Sequence, residues 1–151
     1  MVDTGSIGKL LEILEDYLDR LKALRDELTL EKLRTDRKSL DSAKYDLQVC
    51  IQCCIDIGNH LVSSLGLGLP EGYADIFDKL GQFGVITPDF AYTMGEMAKF
   101  RNILVHLYGE VDVEKMYNIL QNNLGDFDQF SKVIVEFIEK EEKNNKGESH
   151  V

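Results

Sequence analysis

The sequence predicts an all-α protein, an antiparallel bundle of four to five main helices. Three observations predict it. Apolar residues recur at helical spacing along nearly the whole chain. No segment alternates apolar with polar residues in the way a half-buried strand does. Only two prolines interrupt the chain, and proline is the residue a helix interior tolerates least. At 151 residues the chain is long enough to bury one core. A single helical domain is expected over 1–140, with a flexible polar tail over 141–151.

The first helix is expected over 6–28, on the stripe Ile7, Leu10, Leu11, Leu14, Leu18, Leu21, Leu24 and Leu28. A short turn follows Thr29. The second helix opens after Asp36, whose carboxylate caps its first turn, and runs to Leu65, with Gly66 in the left-handed position that ends many helices. One face of it carries Leu40, Leu47, Cys50, Ile51, Cys54, Ile57, Leu61 and Leu65. A second carries Val49, Cys53, Asp56, Asn59, His60 and Ser63, which predicts cover by another helix or by a partner subunit. A short third helix is expected over 71–83, with Tyr73, Ile76, Phe77 and Leu80 inward. Thr87-Pro88 restarts the chain as cap and first helical residue. After GEVD, Asp112 caps a fifth helix whose apolar phase survives Gly125, so one long helix is expected there.

The net charge of −10 excludes a general nucleic-acid coat, which needs clustered cations. Between Lys32 and Lys44 five cations face two acids, a local +3. That segment is either a solvated helix start or a small phosphate-guiding patch. Cys50, Cys53 and Cys54 contain a C-x-x-C with no second pair, so they read as small buried hydrophobes in a reducing compartment rather than as a zinc site. GLGLPEG (66–72) resembles a phosphate loop but follows a helix where that motif needs a strand. The N-terminus has acids where a secretion signal has bases, and no apolar run reaches the ~18–20 residues of a membrane span. A cytoplasmic protein is expected, with no membrane association.

RNILVHLYGEVD (101–112) sets Arg101, Asn102, His106 and Tyr108 into an apolar helical stretch. Arg101 falls in phase with Phe90, Met94, Met97 and Leu104, residues that face inward. A guanidinium there needs a partner or a wet cleft, and its planar fork suits carboxylate or phosphate. Two readings stay open. Arg101 pairs structurally, with Asp56 as its mate, and His106 is a satisfied core histidine; or the residues form a site. His106 lies about 140° round an ideal helix from Arg101, so the two converge only if the helix ends there or two protomers meet.

The order Arg101, Asn102, His106, Tyr108 is an Arg-x4-His-x-Tyr string. It resembles the HEPN superfamily of helical ribonucleases, and within it the HepT-type toxins that pair with minimal nucleotidyltransferase antitoxins of the MntA type. CIDIGNHL (54–61), LGLPEGYADIFDKLGQFGVI (67–86) and FRNILVHLYGEVD (100–112) carry the resemblance through the central region.

The resemblance implies a HEPN-like bundle acting as a homodimer, and a metal-independent endoribonuclease without cofactor. Arg101 and His106 would be catalytic, with Asn102, Asp56 and His60 supporting, and RNA as substrate. His106 would take the 2′-OH proton and Arg101 would stabilise charge on the phosphorus oxygens, leaving 2′,3′-cyclic phosphate ends. Tyr108 would be the target of AMP transfer by the MntA-type antitoxin, which silences the toxin. The alternative is a non-catalytic helical subunit that binds a nucleotidyltransferase or nucleotide, which the acidic composition also fits.

Overall fold

A computed structural model describes residues 2–105 and 112–148, and among these it holds seven α-helices and no strand. Helix α1 (Thr4–Glu27) is capped by Asp3, whose carboxylate accepts from the Ser6 backbone N–H at 3.1 Å and the Ser6 hydroxyl at 2.7 Å. It buries Ile7, Leu14, Leu18 and Leu21. Where the sequence predicts only a turn, a six-residue helix α2 (Leu30–Thr35) forms. Thr29 caps it through the Lys32 N–H, and the fully buried Leu33 pins it.

Helix α3 (Arg37–Ser64) is the long central element, and Asp36 caps it as predicted. Gly66 takes φ +66, and the Leu67 N–H returns to the Val62 carbonyl, so the helix ends in the glycine-dependent manner expected. Helix α4 (Tyr73–Phe83) starts two residues later than 71, because Gly72 before it is fully extended at φ 172 and ψ −179, and the Asp75 carboxylate accepts from the Glu71 N–H ahead of the first turn. Thr87 then caps helix α5 (Pro88–Leu104) through the Phe90 N–H.

Asp112 caps helix α6 (Val113–Asn122) through the Lys115 N–H. The single long helix expected here is two: α6 stops, and α7 (Gly125–Glu148) restarts after a short turn. Asn123 leaves the helical region at φ −120 and ψ 5, and the neighbouring Asn122, Asn123 and Gly125 are weak helix formers. The apolar phase survives the break because Leu124 and Phe127 reach the same core from either side of it. Helix α7 continues through Glu148, into the polar segment after 140.

Helix α1 packs along α3, and α4 packs against α5 and α3. Phe77, Phe100, Phe127 and Phe130 are all fully buried, each contributing about 1.5–3 kcal/mol of burial. The Phe77 and Phe130 rings meet edge to face at 5.9 Å and join α4 to α7. Gly58 lets α3 and α4 approach closely: a Cβ there would lie 2.7 Å from Ile76 Cγ2. Lys22 pairs with Asp128 at 2.9 Å, between α1 and α7, and Arg34 pairs with Glu114, between α2 and α6. Among the described residues no helix is long and apolar enough to cross a membrane.

Candidate functional site

The candidate site gathers where the end of α5 meets the first turn of α4 and the middle of α3. Arg101 sits in the last turn of α5 and is half-buried. Its guanidinium carbon lies 5.5 Å from the centroid of the Tyr73 ring, a cation–π contact across the α4–α5 pair. One Arg101 terminal nitrogen reaches the Asn102 side-chain oxygen at 3.5 Å. Its Nε is buried and has no hydrogen-bond partner, and no carboxylate among the described residues pairs with it.

The pairing of Arg101 with Asp56 therefore does not occur. Asp56 instead accepts from Gln52 Nε2 at 2.8 Å, one turn back along α3, a neighbour that satisfies it without reaching another helix. Among the described residues the guanidinium is held by a ring face and an amide alone.

The second face of α3 is only partly covered by its own chain. Cys53 is buried and Asp56 half-buried, whereas Asn59, His60 and Ser63 are exposed. His60 and Asn59 line an open groove of about 350 Å³ against Ser6, Lys9 and Leu10 of α1. The hydrogen bonds from Ser6 hold the Asp3 carboxyl at the head of α1 below the usual carboxylate range, and His60 adds a smaller pull in the same direction. On the other side of Asp56, a groove of about 290 Å³ runs to Tyr73, walled by Ile55 and Ile76 and by Leu69 and Pro70 of the loop. His106 and Tyr108, which the sequence singles out, lie outside the described residues.

Two participants were not found from sequence. Tyr73 was placed on the inward stripe of α4; it sits at the edge of that stripe, 37% exposed, with Arg101 over its face. Gln52 went unnoticed, although its i,i+4 spacing to Asp56 was the available signal. The remaining motifs stand apart. Cys50, Cys53 and Cys54 are buried and free, and burial first, with Asp56 next, pushes the Cys53 thiol up to about 11. The described residues contain no group of three or more His, Cys, Asp and Glu side chains that could hold a metal ion. In the basic segment Arg34 pairs with Glu114 and Arg37 with Asp41, as a solvated helix start would.

Comparison with known proteins gives this geometry a lineage. The chain is 38% identical over 94 residues to the mRNA nuclease HepT of Shewanella oneidensis, covering 62% of this chain and 71% of that one. It is 27% identical over 135 residues to the tRNA nuclease HepT of Aphanizomenon flos-aquae, covering 89% and 91%. Among solved structures, the tri-AMPylated Shewanella oneidensis HEPN toxin in complex with its MNT antitoxin superposes with a TM-score of 0.80 at 30% identity, over 90% of this chain and 99% of that one. The model of the family described as ribonuclease HepT-like matches residues 14–134, which takes in every element from Leu14 of α1 to Ile134 of α7. On that span, which includes Arg101, the chain belongs to the ribonuclease HepT-like family.

Proposed function

We propose that this protein is the ribonuclease toxin of a toxin–antitoxin pair, a cytoplasmic metal-independent endoribonuclease working as a homodimer. The observation that carries the reading is Arg101: a half-buried guanidinium that has, among the described residues, no carboxylate partner, an unpaired Nε and a ring to fix its plane. An arginine so placed is poised for a phosphate.

RNA supplies its own nucleophile. The 2′-oxygen bonds to phosphorus as the bond from phosphorus to the 5′-oxygen breaks. His106 accepts the 2′-OH proton. The departing 5′-oxygen takes a proton from an imidazolium of the second subunit. Arg101 neutralises the charge that grows on the non-bridging oxygens, and Asn102 steadies its fork. The products are a 2′,3′-cyclic phosphate and a 5′-OH. Asp56, which lines the groove that reaches Tyr73, supports the site from α3, and His60 lines the neighbouring groove against α1.

An MntA-type nucleotidyltransferase silences the protein by transferring AMP to Tyr108, three residues after the last described turn of α5. Each transfer attaches one adenylyl phosphate to the phenol oxygen and releases pyrophosphate from the nucleotide, and the added negative charge competes with the substrate phosphodiester for Arg101. The names of the relatives, two nucleases and an AMPylated toxin bound to its antitoxin, support this reading.

The test is cleavage of single-stranded RNA by the purified, unmodified protein in excess chelator. Cyclic phosphate ends that vanish in a folded His106→Ala variant are the expected result. Undiminished cutting by that variant removes His106 from the mechanism, and cutting that requires a divalent ion removes the metal-independent reaction.

A further inference from the structure

We infer that the groove between Asp56 and Tyr73 is a nucleobase subsite that selects a base with hydrogen-bond donors on one edge, guanine foremost. This rests on the ribonuclease reading above, since it assigns the base whose phosphate Arg101 holds. Tyr73 joins the two: Arg101 covers its ring at 5.5 Å, and the same residue lines the groove.

The chemistry of the lining rules out a phosphate there. Among the described residues no cation lines this groove, and Asp56 presents a carboxylate to it. Its volume of about 290 Å³ and its apolar walls, Ile55, Leu69 and Pro70, suit a flat neutral ring. Leu69 is 91% exposed at the lip, so a base has an apolar group to slide under.

The polar side of the groove is rich in acceptors. Gln52 spends its amide donor on Asp56 Oδ1, which leaves its own Oε1 buried with nothing to receive. The second Asp56 oxygen is also without a partner among the described residues. The Asp56 carboxylate keeps lone pairs on both oxygens and can receive two adjacent donors from a ligand in the groove. Guanine offers N1–H and the N2 amine side by side. Uracil offers one N–H flanked by two carbonyl oxygens, which the carboxylate repels. The exposed Asn59 amide closes the end of the groove and can accept or donate.

The experiment has two arms, both on the unmodified full chain. In the first, guanosine 5′-monophosphate and uridine 5′-monophosphate are titrated while the side-chain amides of Gln52 and Asn59 are followed by NMR. The subsite predicts shifts at both amides and at least fivefold tighter binding of the guanosine nucleotide. It also predicts a ratio near one in Asp56→Asn. Equal affinities in the wild-type protein, or shifts confined to Arg101 and its neighbours, overturn it. In the second arm, cut sites in a random RNA pool are mapped. Guanosine enrichment beside the cut, flattened in Asp56→Asn whatever its total rate, supports the subsite, and an unchanged pattern in that variant overturns it. Absence of any cutting would defeat the ribonuclease reading alone, because the nucleotide titration still decides the subsite.

Discussion

Arg101 lies over the ring of Tyr73, 5.5 Å from its centroid, and among the described residues no acid pairs with it. On the proposed function this charge serves a ligand rather than the fold. Replacing it with Arg101→Lys keeps the charge and removes the planar fork and its stack. RNA cleavage should fall about 10²-fold, the scale of losing one donor to a developing oxyanion. Stability should change by about 0.5 kcal/mol or less. A large drop in melting temperature would identify Arg101 as structural instead.

Gly58 controls the distance between α3 and α4. In Gly58→Ala the new methyl meets Ile76 Cγ2 at 2.7 Å, and α4 must move or Ile76 must leave its rotamer. Overpacking of this kind costs about 1–3 kcal/mol, so the urea midpoint should shift down. Because α4 carries Tyr73, cleavage should weaken as well. An unshifted midpoint would show that the helices are free to separate there.

The three cysteines should be silent in the folded protein. Burial raises all of their thiols, Cys53 to about 11 and Cys50 and Cys54 further, so at pH 8 they carry almost no thiolate, which is the reactive form. Native protein should resist a disulfide-exchange reagent over minutes, and urea-unfolded protein should release three equivalents. Rapid native labelling would mean that α3 opens locally.

Asp46 on α3 is buried, and its carboxyl is pushed above the usual range first by that burial, against a smaller pull from Arg20 and a push from Asp16. A folded-state value above the unfolded one means the proton is held better in the fold. The associated stability is complete below the ordinary value of about 3.9 and is lost as pH rises through the raised value. Asp46→Asn should therefore raise the melting temperature at pH 7 and leave it nearly unchanged at pH 3. A melting temperature lowered at pH 7 would show that the carboxylate is stabilising.

How much of this was legible in the sequence depended on how local the chemistry is. Asp36, Thr87-Pro88 and Asp112 announce helix starts because a cap is decided within three residues, and each caps as read. The break before Gly125 was hidden because apolar phase reports which side faces the core, and Leu124 and Phe127 face it on both sides of the turn. Arg101 stood out as a charge in an apolar phase, but its neighbour did not. Asp56 was the obvious mate by charge, yet Gln52 lies one turn away on the same helix and takes it. Tyr73 comes to Arg101 only because α4 and α5 fold back on each other, a relation that no pattern along the chain encodes.

The edge-on contact between Phe77 and Phe130 has a bearing on synthesis. A ribosome delivers α4 and α5 well before α7, so while the chain is still being made, Phe77 faces solvent where Phe130 will later sit. The α4–α5 pair that bears Arg101 packs on α3 from the start, and gains this last ring contact only when α7 has emerged. A truncated product that stops short of Phe130 would leave the Phe77 face of α4 open to solvent and easier for a protease to reach.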